Sequence, residues 1–388
     1  LLKYGGVTRY DEWFVTSIIV ENSRFMGLTA IEMRTGNFYL FKGKAAIIAT
    51  GGAGRLYTFT TNSRSVTGDG MGMAYRAGLP LKDMEFFQFH PTGLVPPGIL
   101  ISEAARGEGG HLKNNKGERF MKKYAPERME LAPRDIVSRS MMREILEGRG
   151  FEGPMGLQYV HLDLTHLGAE RIYERLPLIR EVAMRYAGVD PVEEPIPVRP
   201  AAHYSMGGIH VNIDGQVLTK DGIPVKGLWA AGEVTSVSIH GANRLGTNST
   251  AECLVYGRIT GAEAAKYILS GEAKLPSSPI KQAEAEAKRI FDGIFKTENG
   301  ENPYDIMWEL RRAMDEGVGI FRDEKGLQGA VRRIRELKER FKKVTVSDKG
   351  KAYNMNLIST LELQNMLDVA EVMAVAALAR TESRGAHY

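Results

Sequence analysis

Hydrophobic and polar residues follow a two-residue period over much of residues 13–50, which predicts strands. The β-branched runs at 14–20 and 45–49 are the clearest of these segments. The second run leads into the sequence Thr-Gly-Gly-Ala-Gly, and a glycine cluster at 68–72 then predicts the opening of a helix near 73–77. A buried strand that leads into glycines and then a helix is typical of α/β domains that bind a nucleotide at the carboxyl end of a sheet.

The pattern changes at about residue 89, where loops and helices replace strands. The clearest helix begins at Pro133, because proline is favoured in a first helical turn, and it ends at Gly148. Strand patterns return at 209–213 and 227–233. The glycine-rich α/β domain is therefore interrupted by a segment of different texture, which we predict to be an α+β capping domain.

Helical periodicity dominates after about residue 275. In the clearest example, apolar residues step by three and four along one helix face: Leu327, Val331, Ile334, Leu337 and Phe341. We divide the chain into a Rossmann-like α/β domain made of two separate segments, a capping domain between them and a C-terminal helical domain. The predicted segments are 1–88 (first α/β segment), 89–195 (capping domain), 196–274 (second α/β segment) and 275–388 (helical domain).

Composition narrows the class of protein without identifying it. The 388 residues are 43% hydrophobic and 25% charged, with a formal net charge of +4, which is ordinary for globular domains. No basic tract is interleaved with aromatic residues, so we expect no nucleic-acid partner. Cys253 is the single cysteine, which excludes an intrachain disulfide or an iron–sulfur cluster held by this chain alone. The apolar run at 372–379 is too short to span a bilayer, so we expect any membrane attachment to come through partners.

One motif is a false match. Residues 148–153 fit the pattern GxGxxG letter for letter. They follow a predicted helix and open no helix, whereas a dinucleotide site requires a preceding strand and a following helix. We therefore predict a loop at this position.

Histidine or arginine stands beside glycine in four loops where the predicted domains meet, at 88–93, 102–110, 203–208 and 240–246. Glycine permits close approach of the backbone, arginine offers a bidentate fork to one carboxylate, and histidine and hydroxyl groups hold another. A single histidine in a loop is more often structural. Four such loops together predict an anion-binding pocket.

Arg134 is the most specific candidate, since it follows Pro133 in the first turn of the predicted helix. The positive end of the helix dipole disfavours a cation there. One interpretation is an exposed or salt-bridged arginine, for which Asp135 is a candidate partner. The other is an arginine that exchanges a proton with a carbanion-like carbon, supplied with protons by Glu103 and Arg106, which lie three residues apart.

Seven runs resemble the flavoprotein subunit of succinate dehydrogenase and fumarate reductase: QFHPTG, SEAARGEGG, APRDIVSRS, RPAAHYSMGGI, GLWAAGE, HGANRLGTNS and RTESRGAHY. The resemblance extends from about residue 49 to residue 388, with the motifs in the same order. It implies an FAD-binding Rossmann-like domain, a capping domain, a helical domain, and the interconversion of succinate and fumarate.

The resemblance also implies a role for individual residues. Three would be catalytic, with Arg134 as proton shuttle fed by the other two: Arg134, Glu103 and Arg106. Four would bind the dicarboxylate: His90, Ser102, His203 and Arg244. Six would contact FAD: Gly51, Gly52, Asp69, Glu233, Ser249 and Thr250. Two of these positions depart from the usual pattern, because Ser102 often is threonine, which keeps the hydroxyl, and Thr250 commonly is leucine. His161 and His166 flank Asp163 at a metal-like spacing, but the family needs no metal there, so we predict none.

The family also has features that these residues do not contain. We expect an upstream strand–helix–strand unit with the glycine-rich FAD fingerprint and a histidine bonded covalently to the flavin, so we interpret the sequence as a fragment that also lacks the C-terminal tail. The expected partners are an iron–sulfur subunit and membrane anchor subunits, with the protein peripheral on the cytoplasmic face of a membrane. The direction of the reaction stays open, with a slight preference for succinate oxidation because that activity is the more frequent.

Two alternatives remain. L-aspartate oxidase shares several of the runs but differs after HGANR and in the last helix, and its substrate would require an additional acid for the ammonium group. A non-catalytic scaffold paralogue would have no use for an arginine placed against a helix dipole.

Overall fold

The computed structural model describes residues 5–388, so residues 1–4 of the first predicted segment lie outside the described residues. The strands are β1 (Trp13–Glu21), β2 (Arg24–Glu32), β3 (Asn37–Phe41), β4 (Ala46–Ile48), β5 (Leu81–Lys82), β6 (Phe87–Leu94), β7 (His111–Lys113), β8 (Val160–Asp163), β9 (Ile196–Ser205), β10 (Gly208–His210), β11 (Gln216–Leu218), β12 (Pro224–Ala230) and β13 (Thr235–Ser236).

Eleven α-helices occur in the same described residues. They are α1 (Asp69–Arg76), α2 (Ala104–Gly107), α3 (Met121–Tyr124), α4 (Arg134–Glu144), α5 (Ala169–Arg175), α6 (Pro177–Ala187), α7 (Asn248–Leu269), α8 (Ile280–Lys288), α9 (Pro303–Gly317), α10 (Glu324–Phe341) and α11 (Met355–Ala379).

The α/β domain is built on a six-stranded sheet with the path β1-β2-β12-β11, on which β3 pairs with β2 and β4 pairs with β12. Strands β1, β2 and β3 form an antiparallel meander, as their alternating pattern predicts. β4 and β12 are parallel, with Leu228 opposite Ala46. The two predicted glycine-terminated strands are therefore neighbours, and the loops that follow them leave the same edge of the sheet.

Helix α1 begins four residues earlier than the glycine pattern predicts. Gly68 adopts a left-handed conformation with φ of 81°, which a side chain would strain, and its amide donates to the carbonyl of Gly52 at 3.1 Å. This contact joins the loop after β4 to the start of α1. Asp69 is consequently the first residue of the helix.

The capping segment has its own antiparallel sheet, in the order β6-β9-β8-β7, and its own apolar core that extends from Leu94 to Val198. β6 and β9 pair along most of their length, with Phe87 opposite Ser205. β6 crosses the predicted boundary at 88/89, whereas β9 begins at the predicted boundary, at Ile196, and joins the sheet of the capping segment. The division into domains stays a prediction. The pairing places the ends of both connections next to each other, where the candidate site lies.

The helical region after residue 275 is confirmed. Leu327, Val331, Ile334, Leu337 and Phe341 are all buried on the predicted face of α10, which packs against α9 and α11. Asp323 caps the helix, because its side chain accepts from the amide of Gly326 at 2.7 Å.

Replacing Ile334 by alanine should lower the free energy of unfolding by about 2–5 kcal/mol, since the side chain is fully buried and its removal leaves a cavity between helices. Urea unfolding of Ile334→Ala beside Arg332→Ala, which truncates an exposed side chain of the same helix, would measure this. Equal losses in the two variants would contradict the packing described here.

Residues 148–153 form no nucleotide motif in the structure. α4 continues as a wider helical turn through Ile145–Arg149, Gly148 ends it with φ of 75°, and an extended segment follows. His161 stacks on Phe151 at 3.9 Å, His166 stacks on His111 at 4.0 Å, and the Asp163 carboxylate accepts from Lys113 Nζ at 2.6 Å. The three side chains therefore have separate partners.

Within residues 5–388, every helix is too short or too polar to cross a bilayer.

Candidate functional site

The side chains predicted to act on substrate come from separate elements that meet beside the paired strands β6 and β9. His90 lies on β6, Arg134 begins α4, and His203 lies on β9. Glu103 and Arg106 belong to the short α2 turn, and Arg244 lies in the loop between β13 and α7. The structure therefore brings together residues that are up to 154 positions apart, from His90 to Arg244.

Arg134 is held by a carboxylate other than the neighbouring Asp135. Its Nε and Nη2 both donate to Oε2 of Glu103, at 3.0 and 2.7 Å, and its Nη1 donates to Oε1 of Gln88 at 3.2 Å. Asp135 instead accepts from Arg139 at 2.9 Å and from Asn243 at 2.8 Å. Arg134 is thus a salt-bridged arginine, but its partner is Glu103 and not Asp135, and its side chain is only 10% exposed.

Glu103 bridges two arginines. Its other oxygen, Oε1, lies 3.6 Å from Nη2 of Arg106. Burial raises the pKa of Glu103, but the hydrogen bond from Arg134 and the charge of Arg106 lower it more, so that the pKa lies below its ordinary value. The carboxylate is therefore ionised at neutral pH and can hold both guanidinium groups.

Arg106 is the most deeply buried of these cations, with 1% of the residue exposed. Burial lowers the pKa of its guanidinium to about 10, which the nearby Glu103 charge opposes and Arg134 reinforces. Nη1 donates to the carbonyl of Glu130, while Nε and Nη2 are buried without a hydrogen-bond partner. A buried arginine with unused donors and a lowered pKa suits proton exchange better than an ordinary surface arginine does.

The two histidines are neutral acceptors or donors. Their rings lie 5.0 Å apart, and Nδ1 of His203 shares a 2.7 Å hydrogen bond with the hydroxyl of Thr61. Burial lowers the pKa of His203 to about 3, helped by the charges of Arg244 and Arg134, and burial also holds the pKa of His90 well below its ordinary value. Nε2 of His90 is buried without a partner.

Arg244 completes a ring of cations. Burial, and then the charge of Arg134, lowers the pKa of its guanidinium to about 10. Its Nη1 donates to the carbonyl of Leu245 at 3.1 Å, whereas Nε is buried without a partner. Gly246 brings this loop against Arg134 and Glu103, because a Cβ there would lie 3.1 Å from both Arg134 Nη2 and Glu103 Oε2.

Two residues of the predicted substrate site have buried nitrogen atoms without a partner, Nε2 of His90 and Nε of Arg244. A buried polar atom without a partner is costly, and a bound anion relieves that cost. Ser102 is exposed at the edge of this site, where its hydroxyl accepts from the amide of Ala104 at 3.3 Å. The arrangement fits a small molecule with two carboxylates.

The residues expected to contact the cofactor form a second face. Gly51 follows β4 with φ of 76°, and open space lies where its Cβ would point. Ser205 and Glu233 close the floor beneath Gly52, since Oγ of Ser205 accepts from the Ala53 amide at 3.1 Å and Oε1 of Glu233 accepts from the Ser205 amide at 2.9 Å. A Cβ on Gly52 would lie 2.2 Å from Glu233 Oε1, so only glycine fits there.

Asp69 and the start of α7 border the same face. The Asp69 carboxylate accepts from Thr67 at 3.0 Å and from Asn365 of α11 at 2.6 Å, and burial raises its pKa. Ser249 and Thr250 lie in the first turn of α7, an N-terminus without a side-chain cap. The Thr250 amide already donates to the carbonyl of Thr247 at 3.0 Å, so it is not a free donor for a ligand.

Comparison with known proteins identifies the family. The profile of the FAD binding domain matches residues 1–250, and the profile of the fumarate reductase flavoprotein C-terminus matches residues 307–388. The chain is 47% identical to the fumarate reductase flavoprotein subunit of Serratia sp. (strain ATCC 39006), a match that covers 100% of this chain and 65% of that protein. The chain belongs to the fumarate reductase and succinate dehydrogenase flavoprotein family.

Relatives named fumarate reductase and relatives named succinate dehydrogenase are about equally similar to this chain in sequence. The fumarate reductase flavoprotein subunit of Escherichia coli (strain K12) is 45% identical over 100% of this chain, and the succinate dehydrogenase flavoprotein subunit of Coxiella burnetii is 45% identical over 98%. Each match covers 65% of the relative. The chain thus spans about two thirds of the length of its flavoprotein relatives, in agreement with the predicted fragment.

Solved structures confirm the predicted fold. A chain of Escherichia coli quinol fumarate reductase superposes with a TM-score of 0.93 at 44% identity, covering 100% of this chain and 66% of that one. Mycobacterium smegmatis Sdh1 superposes with a TM-score of 0.82 at 40% identity, covering 97% and 61%. The FAD-binding domain followed by a helical domain is therefore the architecture of this flavoprotein chain.

The sequence interpretation missed several polar residues of the flavoprotein site. Gln88 donates to the Arg244 carbonyl at 2.7 Å and to Oδ1 of Asn243 at 3.1 Å while it accepts from Arg134, so it ties the two cationic loops together. The available signal was a polar side chain two residues from His90 in a strand that is otherwise buried. Tyr204 and Glu252 were also missed; they lie behind Arg244 and are not among the residues assigned to substrate or cofactor. Glu252 is a charged residue in the otherwise uncharged run from Asn248 to Gly257.

Glu233 should make the stability of the flavoprotein apoprotein depend on pH. Burial raises the pKa of its carboxyl from 4.5 to about 7, so the folded state holds this proton more tightly than the unfolded state does. The resulting stabilisation is complete below about pH 4.5 and is lost as pH rises through 7. Glu233→Gln keeps an acceptor for the Ser205 amide without an ionisable group, and should be more stable than the parent at pH 8 by on the order of 2 kcal/mol.

Urea unfolding of both proteins at pH 5 and pH 8 would measure this difference. Asp315 and Glu362, whose pKa values burial also raises, contribute the same trend to parent and variant alike. Parallel pH dependence in the two proteins would show that Glu233 does not titrate as described.

Proposed function

We propose that the full-length protein interconverts succinate and fumarate, with Arg134 as the group that exchanges the substrate proton. The observation that carries the proposal is the Arg134–Glu103–Arg106 chain, placed beside two neutral histidines and a third arginine, Arg244, whose buried Nε has no partner. The names of the relatives at 45–47% identity support the same chemistry.

Substrate binding follows from the donors of the pocket. Arg244 would hold one carboxylate with Nε and its fork of N–H groups, and His203 would add a hydrogen bond. His90 and the hydroxyl of Ser102 would hold the second carboxylate. Burial keeps both histidines neutral, so the positive charge that faces the two carboxylates of the substrate comes from arginines alone. This positive charge does not change over the physiological pH range, because arginine stays protonated.

Proton exchange is assigned to Arg134. Its guanidinium would donate a proton to one carbon of fumarate, or remove it from one methylene of succinate. Glu103 would accept or return that proton, and Arg106 would continue the path. FAD, when bound, supplies or accepts the hydride at the other carbon. Gly51, Gly52, Asp69, Glu233, Ser249 and Thr250 would hold it, and the open space at Gly51 fits such a group.

Partners and location belong to the same proposal. Electrons would pass to an iron–sulfur subunit, and membrane anchor subunits would hold the complex at the cytoplasmic face of a membrane. A structural neighbour with a TM-score of 0.93 and 44% identity is described as quinol-fumarate reductase with menaquinol molecules, which supports a membrane-linked electron carrier. Covalent attachment of FAD would use a histidine outside these residues.

The proposal is tested with the full-length flavoprotein. We expect three properties: flavin absorbance, dye-linked oxidation of succinate, and reduction of fumarate by a reduced dye. A colourless and inactive protein would favour the scaffold paralogue. Oxidation of L-aspartate in preference to succinate would favour L-aspartate oxidase.

A further inference from the structure

A buried cluster of polar side chains lies behind Arg244, and no step of the proposed reaction uses it. Glu252 of α7 accepts from the hydroxyl of Tyr204 with Oε2, and the same oxygen lies 2.8 Å from Nε2 of His240. The side chains of Glu252 and His240 are 2% and 5% exposed. Burial of a carboxylate costs free energy, so a carboxylate this deeply buried, with two partners on one oxygen, suggests a specific role for the cluster.

Glu252 and His240 both contact the side chain of Tyr204. Burial, and then the adjacent charge of Glu252, raises the pKa of the Tyr204 phenol, so the hydroxyl stays protonated and donates to the carboxylate. Donation to an anion shifts electron density into the aromatic ring and makes its face more negative. The ring of His240 meets that of Tyr204 edge-on, 5.4 Å between centroids at 85°, and fixes its orientation.

Arg244 rests on that ring. Its guanidinium carbon lies 4.3 Å from the centroid of Tyr204, which is within the range of a cation–π contact. An aromatic face holds a guanidinium without using its N–H donors, whereas a carboxylate partner would occupy them. Nε of Arg244 remains free of any partner among the described residues.

We propose that Tyr204, anchored by Glu252 and His240, is a positioning residue that presents Arg244 to a substrate carboxylate. The inference rests on the proposed function, since it assigns Arg244 to substrate. Tyr204 follows His203 on β9, and the alternation of side chains along a strand directs the two to opposite faces. One residue of the pair therefore contacts substrate and the other supports the residue that does.

The test uses the full-length flavoprotein with malonate, a dicarboxylate that has no carbon pair to oxidise, as the binding probe. Its dissociation constant is measured from the change in flavin absorbance, beside KM and kcat for succinate. Tyr204→Leu removes the ring and should raise both the dissociation constant and KM about tenfold, with kcat within about threefold of the parent. Tyr204→Phe keeps the ring but loses the hydroxyl, and should raise both by only about threefold.

Glu252→Gln tests the same proposal if the Tyr204→Leu variant does not retain flavin. It preserves size and an acceptor but removes the charge behind the ring, and should raise the malonate dissociation constant about threefold with kcat unchanged. Tyr256→Leu is the matched control, because this buried tyrosine lies one turn further along α7. It should leave malonate binding within about twofold of the parent.

Three results would overturn the proposal: parental binding in Tyr204→Leu, equal losses in the phenylalanine and leucine variants, or parental binding in Glu252→Gln. A fall in kcat without a change in binding would assign the cluster to another role. Failure of the parent protein to bind malonate or oxidise succinate is a separate outcome, which contradicts the proposed function itself.

Discussion

Replacing Arg134 by lysine should lower kcat for succinate oxidation by about 10³-fold, within the range found for loss of a positioned acid–base group. Lysine keeps the positive charge but not the planar fork that donates to Glu103 through Nε and Nη2 and to Gln88 through Nη1. The ammonium group would therefore reach neither the carbon nor the proton path in the right geometry. Malonate binding should change by less than about fivefold, because His90, His203 and Arg244 remain.

Arg143→Lys provides the matched control for this variant. Arg143 lies on the same helix as Arg134 and allows the same replacement by lysine, but its side chain is exposed and lies outside the pocket. Its kcat and KM should equal those of the parent. If Arg134→Lys kept near-parental kcat and only raised KM, the residue would bind substrate rather than move a proton.

The second large effect is expected for Glu103→Gln, which should lower kcat by about 10²-fold. The carboxamide keeps an acceptor for one arginine, but it can neither take a proton nor balance the charges of Arg134 and Arg106. Ionisation of Glu103 at neutral pH depends on these same arginines, which hold its pKa low despite burial. Flavin content should be unchanged, since the carboxylate lies against Arg134 and Arg106 and not on the face around Gly51.

Glu108→Gln is its control within the same loop. The Glu108 carboxylate pairs with Arg171 at 3.0 Å and Arg175 at 3.1 Å on the surface of the capping segment. Surface ion pairs contribute little, so kcat should stay within about twofold of the parent. Equal activity of Glu103→Gln and Glu108→Gln would remove Glu103 from the proton path.

The local sequence pattern was sufficient to predict those features that depend on a single helix or strand. The apolar steps along α10, the glycine-terminated strands β4 and β12 and the start of α4 after Pro133 all occur as predicted, because periodicity and backbone preferences act within one segment. The start of α1 was predicted too late. Asp69 is an acceptable first-turn residue, but the helix begins there because the Gly68 amide is bound by Gly52, a contact between segments.

The partners of the site residues required the tertiary structure. Adjacency in sequence suggested Asp135 for Arg134, whereas the folded chain supplies Glu103 from 31 residues earlier and Gln88 from 46 residues earlier. The support for Arg244 likewise comes from Tyr204 and Glu252, on a strand and a helix that no local pattern connects. Hydrogen bonding and burial between distant segments depend on how the sheets and helices pack.

The sequence by itself determined the main strands and helices and, through runs that resemble one family, the flavoprotein family of the chain, because periodicity and glycine-rich loops restrict the backbone locally. The tertiary structure alone decided which charges are paired, which donors are left for substrate, and which pKa values move. These quantities depend on distance and desolvation, which arise only when segments far apart in the sequence pack against each other.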